Sequence, residues 1–121
     1  MFARCSVSRA GLRAGCLLAV WLLASVGAAD SSGELVRASS THSDRYPENY
    51  AVDGDPETRW ASRAFTDGPE WLQIDFGRSI PITAVTIRWE RAHAAAYRLE
   101  VSGDGRSWQP VHENTACAGG Q

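Results

Sequence analysis

From Asn49 to Trp60 the chain reads NYAVDGDPETRW, and Asp53, Gly54, Asp55 and Thr58 concentrate hard oxygen donors on one turn. Gly54 lets the backbone curl so that carbonyls can join the carboxylates. Calcium takes about six to eight such oxygens, from carboxylates, hydroxyls and main-chain carbonyls. The same residues also form an ordinary Asp-Gly turn with no ion, and residue chemistry alone leaves both readings open. The spacing is not that of an EF-hand, so a cation held here would be structural and not a sensed signal.

Catalytic chemistry is far less legible. Glu70, Asp75 and Glu90 can be paired on paper as glycosidase carboxylates, yet acids are frequent and nothing sets two of them across a cleft. His42, His93 and His112 lack the spacing of a zinc site. No nucleophile with a neighbouring base stands out. The expectation is a binding module without activity of its own.

The elements that would carry these residues read as all-β. Trp71 to Phe76 alternates, with Leu72, Ile74 and Phe76 on one face and Trp71, Gln73 and Asp75 on the other. Ile82 to Trp89 places Val85, Ile87 and Trp89 on one side, and Tyr97 to Ser102 places Tyr97, Leu99 and Val101 on one side. Gly103-Asp104-Gly105 predicts a tight hairpin turn into a strand over Trp108 to Val111. Arg91 to Ala96 is too short for more than a loop turn. Strands of this length, separated by turn residues, predict an antiparallel sandwich or jelly roll. Trp60, Trp89 and Trp108 are expected in the core, with Trp71 undecided.

Composition sets the limits. The chain has 121 residues, 44% hydrophobic and 21% charged, the balance of one ordinary globular domain. Arg4, Arg9 and Arg13 precede the apolar run CLLAVWLLASV and then Gly27-Ala28-Ala29, the layout of a secretory leader cleaved after Ala28 or Ala29. That apolar run is shorter than the ~20 residues of a membrane-spanning helix. The expected organisation is a signal peptide over 1–29, a connector over 30–33 and a β-domain over 34–121. Loss of three arginines and no acid would take the chain from −2 to about −5, which argues against a nucleic-acid partner. Cys5 and Cys16 would leave with the leader, so Cys117 would be the one cysteine of the mature chain and a disulfide scaffold is excluded.

From Arg37 to Val111 the sequence resembles the discoidin domain, the coagulation factor five/eight C-terminal type, which overlaps family thirty-two carbohydrate-binding modules and has a galactose-binding-like jelly-roll fold. The resemblance rests on Ala38-Ser39-Ser40, on NYAVDGDPETRW, on EWLQIDFG from Glu70 to Gly77, on Ile82 to Trp89, and on YRLEVSGDG ahead of Trp108. The family's closing strands have no counterpart before the loop-like Ala118-Gly119-Gly120-Gln121, so the sandwich is expected to lack its final strands.

The resemblance implies a structural calcium held by the side chains of Asp53 and Thr58 and chiefly by the carbonyls of Tyr50 and Asp55. It implies a glycan site on loops at one end of the sandwich, where an aromatic ring stacks on a sugar and charged groups bond its hydroxyls. Two loops supply such groups: Ala61 to Gly68 with Arg63 and Phe65, and Glu90 to Ala96 with Glu90, Arg91 and His93. Galactose-binding relatives commonly place an asparagine five residues after such an arginine, and here that position is Ala96, which leaves the sugar open. The alternative the family offers is an adhesion module for protein or phospholipid. Membrane-binding relatives display apolar spikes and basic residues, whereas here only Phe65 could be a spike and the charge is acidic.

Overall fold

The computed structural model describes residues 1–8, 17–21, 35–63 and 68–118. Eight strands are present among them: β1 (Phe2–Ser8), β2 (Leu17–Trp21), β3 (Leu35–Ala38), β4 (Trp60–Ala61), β5 (Glu70–Asp75), β6 (Thr86–Trp89), β7 (Ala96–Ser102) and β8 (Gln109–Asn114). A single short 3-10 turn, Glu48–Ala51, precedes the Asp-rich loop. The strands form a five-stranded sheet in the order β3-β5-β1-β7-β8 and a three-stranded sheet in the order β4-β2-β6. Every pairing is antiparallel. The fold is the all-β antiparallel sandwich that the alternating segments predict. No helix of the described residues is long and apolar enough to cross a membrane.

The core lies between the sheets. Cys5, Val7 and Leu72 of the larger sheet meet Trp60 and Ile87 of the smaller one, with Ala51 and Ala94 filling the space beside them. Trp60, Leu72 and Ile74 are the largest side chains that are fully buried. Burying aliphatic or aromatic side chains of this size contributes roughly 1.5–3 kcal/mol each, so these residues set the spacing of the layers.

The segment with leader-like composition supplies β1 and β2. Phe2–Ser8 occupies the centre of the larger sheet, with Cys5 opposite both Leu72 of β5 and Leu99 of β7. Its alternation places Ala3, Cys5 and Val7 inward. Arg4 and Ser6 face the other way and both bond the Glu100 carboxylate, at 3.1 Å each. Arg4 also lies over the Trp108 ring, 4.2 Å from its centre, and Phe2 meets the same ring edge-on. Cleavage after Ala28 or Ala29 would vacate both strand positions. The cleavage region itself, and Cys16, lie outside the described residues.

Four details depart from the sequence reading. The segment Ile82 to Val85 is not strand, and β6 begins at Thr86. Trp108 packs on Phe2 and Arg4 and is absent from the inter-sheet core, which Trp60 joins fully and Trp89 partly. The polar side of β7 is covered as well: Glu100 and Ser102 are buried, because the Arg4, Ser6 and Trp108 side chains lie over that face. Finally, the connection from β7 to β8 is wider than a two-residue hairpin. Asp104 caps it by accepting the backbone N–H groups of Arg106 and Ser107, each at 2.8 Å, and the Ser102 hydroxyl at 2.9 Å. Those backbone donors, above all, hold the Asp104 carboxyl far below the usual carboxylate range. Gly105 has φ +70° and abuts the Phe2 ring, so the turn needs a residue with no Cβ there.

Candidate functional site

β4 and β6 both pair with β2, and Trp60 and Trp89 both stand opposite Leu18. The strands therefore run parallel with their ends level, and the loops that leave them, beginning at Ala61 and Glu90, emerge at the same end of the smaller sheet. The stretch from His42 to Tyr46 is bound to that end: the His42 N–H donates to the Ala61 carbonyl at 2.7 Å and the Ala61 N–H to the Tyr46 carbonyl at 3.3 Å. Three polar loops thus converge.

A buried carboxylate fixes their roots. Glu70 opens β5 with 8% exposure, and its Oε2 accepts the hydroxyls of Ser39 and of Ser40, the latter at 2.5 Å. Ser39 Oγ in turn accepts the Trp71 N–H at 2.9 Å, and Ser40 Oγ accepts the Arg63 N–H at 3.0 Å. The Trp60 indole N–H donates to the Ser40 carbonyl at 3.0 Å. The exit of β4, the entry of β5 and the backbone of Arg63 are consequently tied to one anion. This explains the Ala38-Ser39-Ser40 signpost of the sequence: the hydroxyls satisfy a carboxylate that burial would otherwise penalise.

Beside this anchor, Arg59 lies over the Tyr46 ring, its guanidinium carbon 4.6 Å from the ring centre. Arg59 Nη2 donates to the Tyr46 hydroxyl at 3.4 Å, and Nη1 lies 3.8 Å from Glu90 Oε1. His42 meets the same tyrosine edge-on, ring centres 5.9 Å apart. Glu90 Oε2 is 3.4 Å from the Arg91 N–H, and His93 Nδ1 is placed to donate to the Arg91 carbonyl at 3.2 Å. Arg63 and Arg91 are exposed.

Of the residues expected in the ligand site, Glu90, Arg91 and His93 share the β6 exit, and Arg63 stands on the β4 exit at the same end of the sheet. Phe65 lies outside the described residues. His42, Tyr46 and Arg59 were missed by the sequence reading. Tyr46, preceded by Arg45, was the available signal, but nothing local shows that Tyr46 meets Arg59.

The Asp-rich loop is a separate group. Asp53 accepts the Asp55 N–H at 3.0 Å and the Thr58 hydroxyl at 2.8 and 2.7 Å, while Thr58 Oγ1 also lies 3.0 Å from the Asp55 carbonyl. Gly54 has φ +84°, which the turn requires. The Asp53 carboxylate, the Asp55 carbonyl and the Thr58 hydroxyl converge, an all-oxygen set suited to a hard cation. Among the described residues no group of three or more His, Cys, Asp or Glu side chains gathers to hold a metal. These oxygens bond one another and close the turn.

A β-sandwich with aromatic and charged side chains on the loops at one end defines a binding module. The F5/8 type C domain, the discoidin type, matches residues 36–121, and the chain belongs to that family. The domain itself is a binding module. Over 80 residues the chain is 34% identical to the polysaccharide lyase 8 family protein HylA of Enterococcus faecalis, a match covering 64% of this chain and 6% of that protein. The chain thus spans a small fraction of the length of this curated relative. No solved structure matches.

Replacing Ser40 by Ala removes one donor from buried Glu70 and the acceptor for the Arg63 N–H. The expected cost is about 1–3 kcal/mol in denaturant unfolding, with no change in m-value. A variant as stable as the parent would show that the carboxylate does not depend on Ser40.

Proposed function

We propose that this chain is a carbohydrate-binding module that tethers its parent protein to glycans, with the site on the loops that leave β4 and β6. The observation that carries the reading is the convergence of Tyr46, Arg59 and Glu90 at the end where Arg63, Arg91 and His93 emerge. Sugars need a flat apolar surface and fixed planar donors and acceptors around it, and this group has both. The likeness to a protein named as a polysaccharide lyase supports the same ligand class. In a longer parent protein, a module of this kind raises the local concentration of substrate by tethering.

Arg91 is the side chain best placed to contact a sugar hydroxyl without supporting the core. Arg91→Ala should weaken binding on a glycan array by roughly tenfold, the worth of a hydrogen bond to a charged group, while leaving Tm unchanged. Unaltered binding would move the site elsewhere. Binding to phospholipid vesicles or to a protein, with no glycan recognised, would replace the proposal by the adhesion alternative.

Calcium would be structural and held through Asp53, Asp55 and Thr58, with the Tyr50 carbonyl as the family implies. Binding to the native state alone stabilises it. Asp53→Ala should therefore lower Tm in calcium and change it less in chelator. Equal losses in both conditions would make Asp53 a turn residue only, consistent with its bonds to Asp55 and Thr58.

We also propose export, on the arginines and apolar run of the first 29 residues; cleavage would remove β2, and the level ends of β4 and β6 would then need another strand in its place. N-terminal sequencing of the secreted product should find a start at Ala29 or Asp30. A start at Met1 would instead make β1 and β2 permanent parts of the domain.

A further inference from the structure

The segment read as a leader carries two signals, a positive start and an apolar run, and the fold puts parts of both in the middle of sheets. β1 is bonded along both edges, from Phe2 opposite Asp75 to Val7 opposite Glu70 on one side and from Phe2 opposite Ser102 to Ser8 opposite Ala96 on the other. The apolar run enters as β2, between β4 and β6. Neither strand stands at an edge from which it could peel away alone.

The described charges of that start are occupied as well. The Met1 ammonium donates to the Arg78 carbonyl at 3.2 Å, and the Met1 carbonyl accepts the Phe76 N–H at 3.2 Å. Arg4 is paired with buried Glu100 and lies against the Trp108 ring. Ala3, Cys5 and Val7 are buried on the opposite face. A leader is recognised by its positive start and its apolar run, and here both are covered. Freeing β1 would open two ladders, uncover Leu72 and Leu99 and leave a buried carboxylate without its cation. Its release therefore requires loss of the larger sheet and is not local fraying.

We propose that the fold gates its own leader: a chain that folds before export buries residues 1–8 and 17–21, withholds them from the export apparatus and from the leader peptidase that would hydrolyse the bond after Ala28 or Ala29, and keeps them as β1 and β2. The exported chain is the one captured unfolded. The inference rests on the export reading above and adds a choice between two fates, decided by whether folding or capture comes first. Capture has the earlier opportunity, since β1 has no partner strand until Glu70–Asp75 has been made.

The test uses the full chain, synthesised cell-free, released, allowed to fold, and only then given to membrane vesicles that take up completed chains. Processing is read by mass as a new start at Ala29 or Asp30, and uptake as protection from added protease. The parent presented from urea should be processed, and the folded parent roughly tenfold or more slowly, because unfolding then limits the rate. Two variants separate the fold from the leader. Leu72→Ala leaves residues 1–29 untouched and opens a cavity in the core that Cys5 shares. Cys5→Arg adds to the positive start while placing a charge at a site 5% exposed. Both should raise the processing of completed chains towards that of the urea-presented parent. Trypsin should cut after Arg4 far more slowly in the folded parent than in either variant.

Equal processing of the folded and urea-presented parent would overturn the gate and leave the export reading standing. A slow parent with two equally slow variants would overturn the assignment of the gate to β1, as would rapid tryptic cleavage after Arg4 in the folded parent. A urea-presented parent that is never processed would overturn the export reading and the gate together.

Discussion

The middle position of the larger sheet must satisfy two ladders at once, and the rest of the fold depends on its being filled. β5 and β7 do not touch each other; each is completed by the strand between them. That strand also brings Cys5 and Val7 into the core and Arg4 against Glu100. With the position empty, two rows of backbone donors and acceptors would face water and the inner faces of Leu72 and Leu99 would be uncovered, the condition under which sheets pair with other chains. A mature domain processed at Ala28 or Ala29 would need another strand of alternating small apolar and polar residues there, with a cation or hydroxyl aimed at Glu100.

The candidate site depends on the same frame through the smaller sheet. β2 sets β4 and β6 level, and the level ends bring the two loops together. Glu70 then ties the Arg63 backbone to the start of β5 by way of Ser40. Rigid strand ends and a buried anion are what give exposed loop residues a defined place, and recognition by fixed donors requires that definition.

The strands from β5 onward were legible because their residues alternate with period two and end at glycine or aspartate turns. β5 and β7 appear within a residue of their expected starts. β6 was overread, since Ile82 and Val85 are apolar but follow Pro81 and make no ladder. β1 was not recognised. Its alternation of Ala3, Cys5 and Val7 with Phe2, Arg4 and Ser6 is visible in the sequence, but arginines ahead of an apolar run have a second meaning that took precedence. The site was half legible. Glu90, Arg91, His93 and Arg63 could be placed because they follow strands directly. Arg59 could not, because its partners Tyr46 and Glu90 stand on other loops on either side of it in sequence, and only the packed layers bring them within reach.

Placing the first segment at the centre of the sheet also orders events in time. Synthesis begins at Met1, yet Phe2 pairs with Asp75 and Ser102, and Ser8 with Ala96. The earliest strand to leave the ribosome waits for partners that lie far along the chain. Sheets dominated by such distant pairings fold slowly, because the entropy of closing long loops is lost before any contact is gained. Within the larger sheet β3 and β1 can pair with β5 before β7 exists, so the sheet is completed in steps, and until β5 has been made the first segment is available to whatever cellular factor meets it.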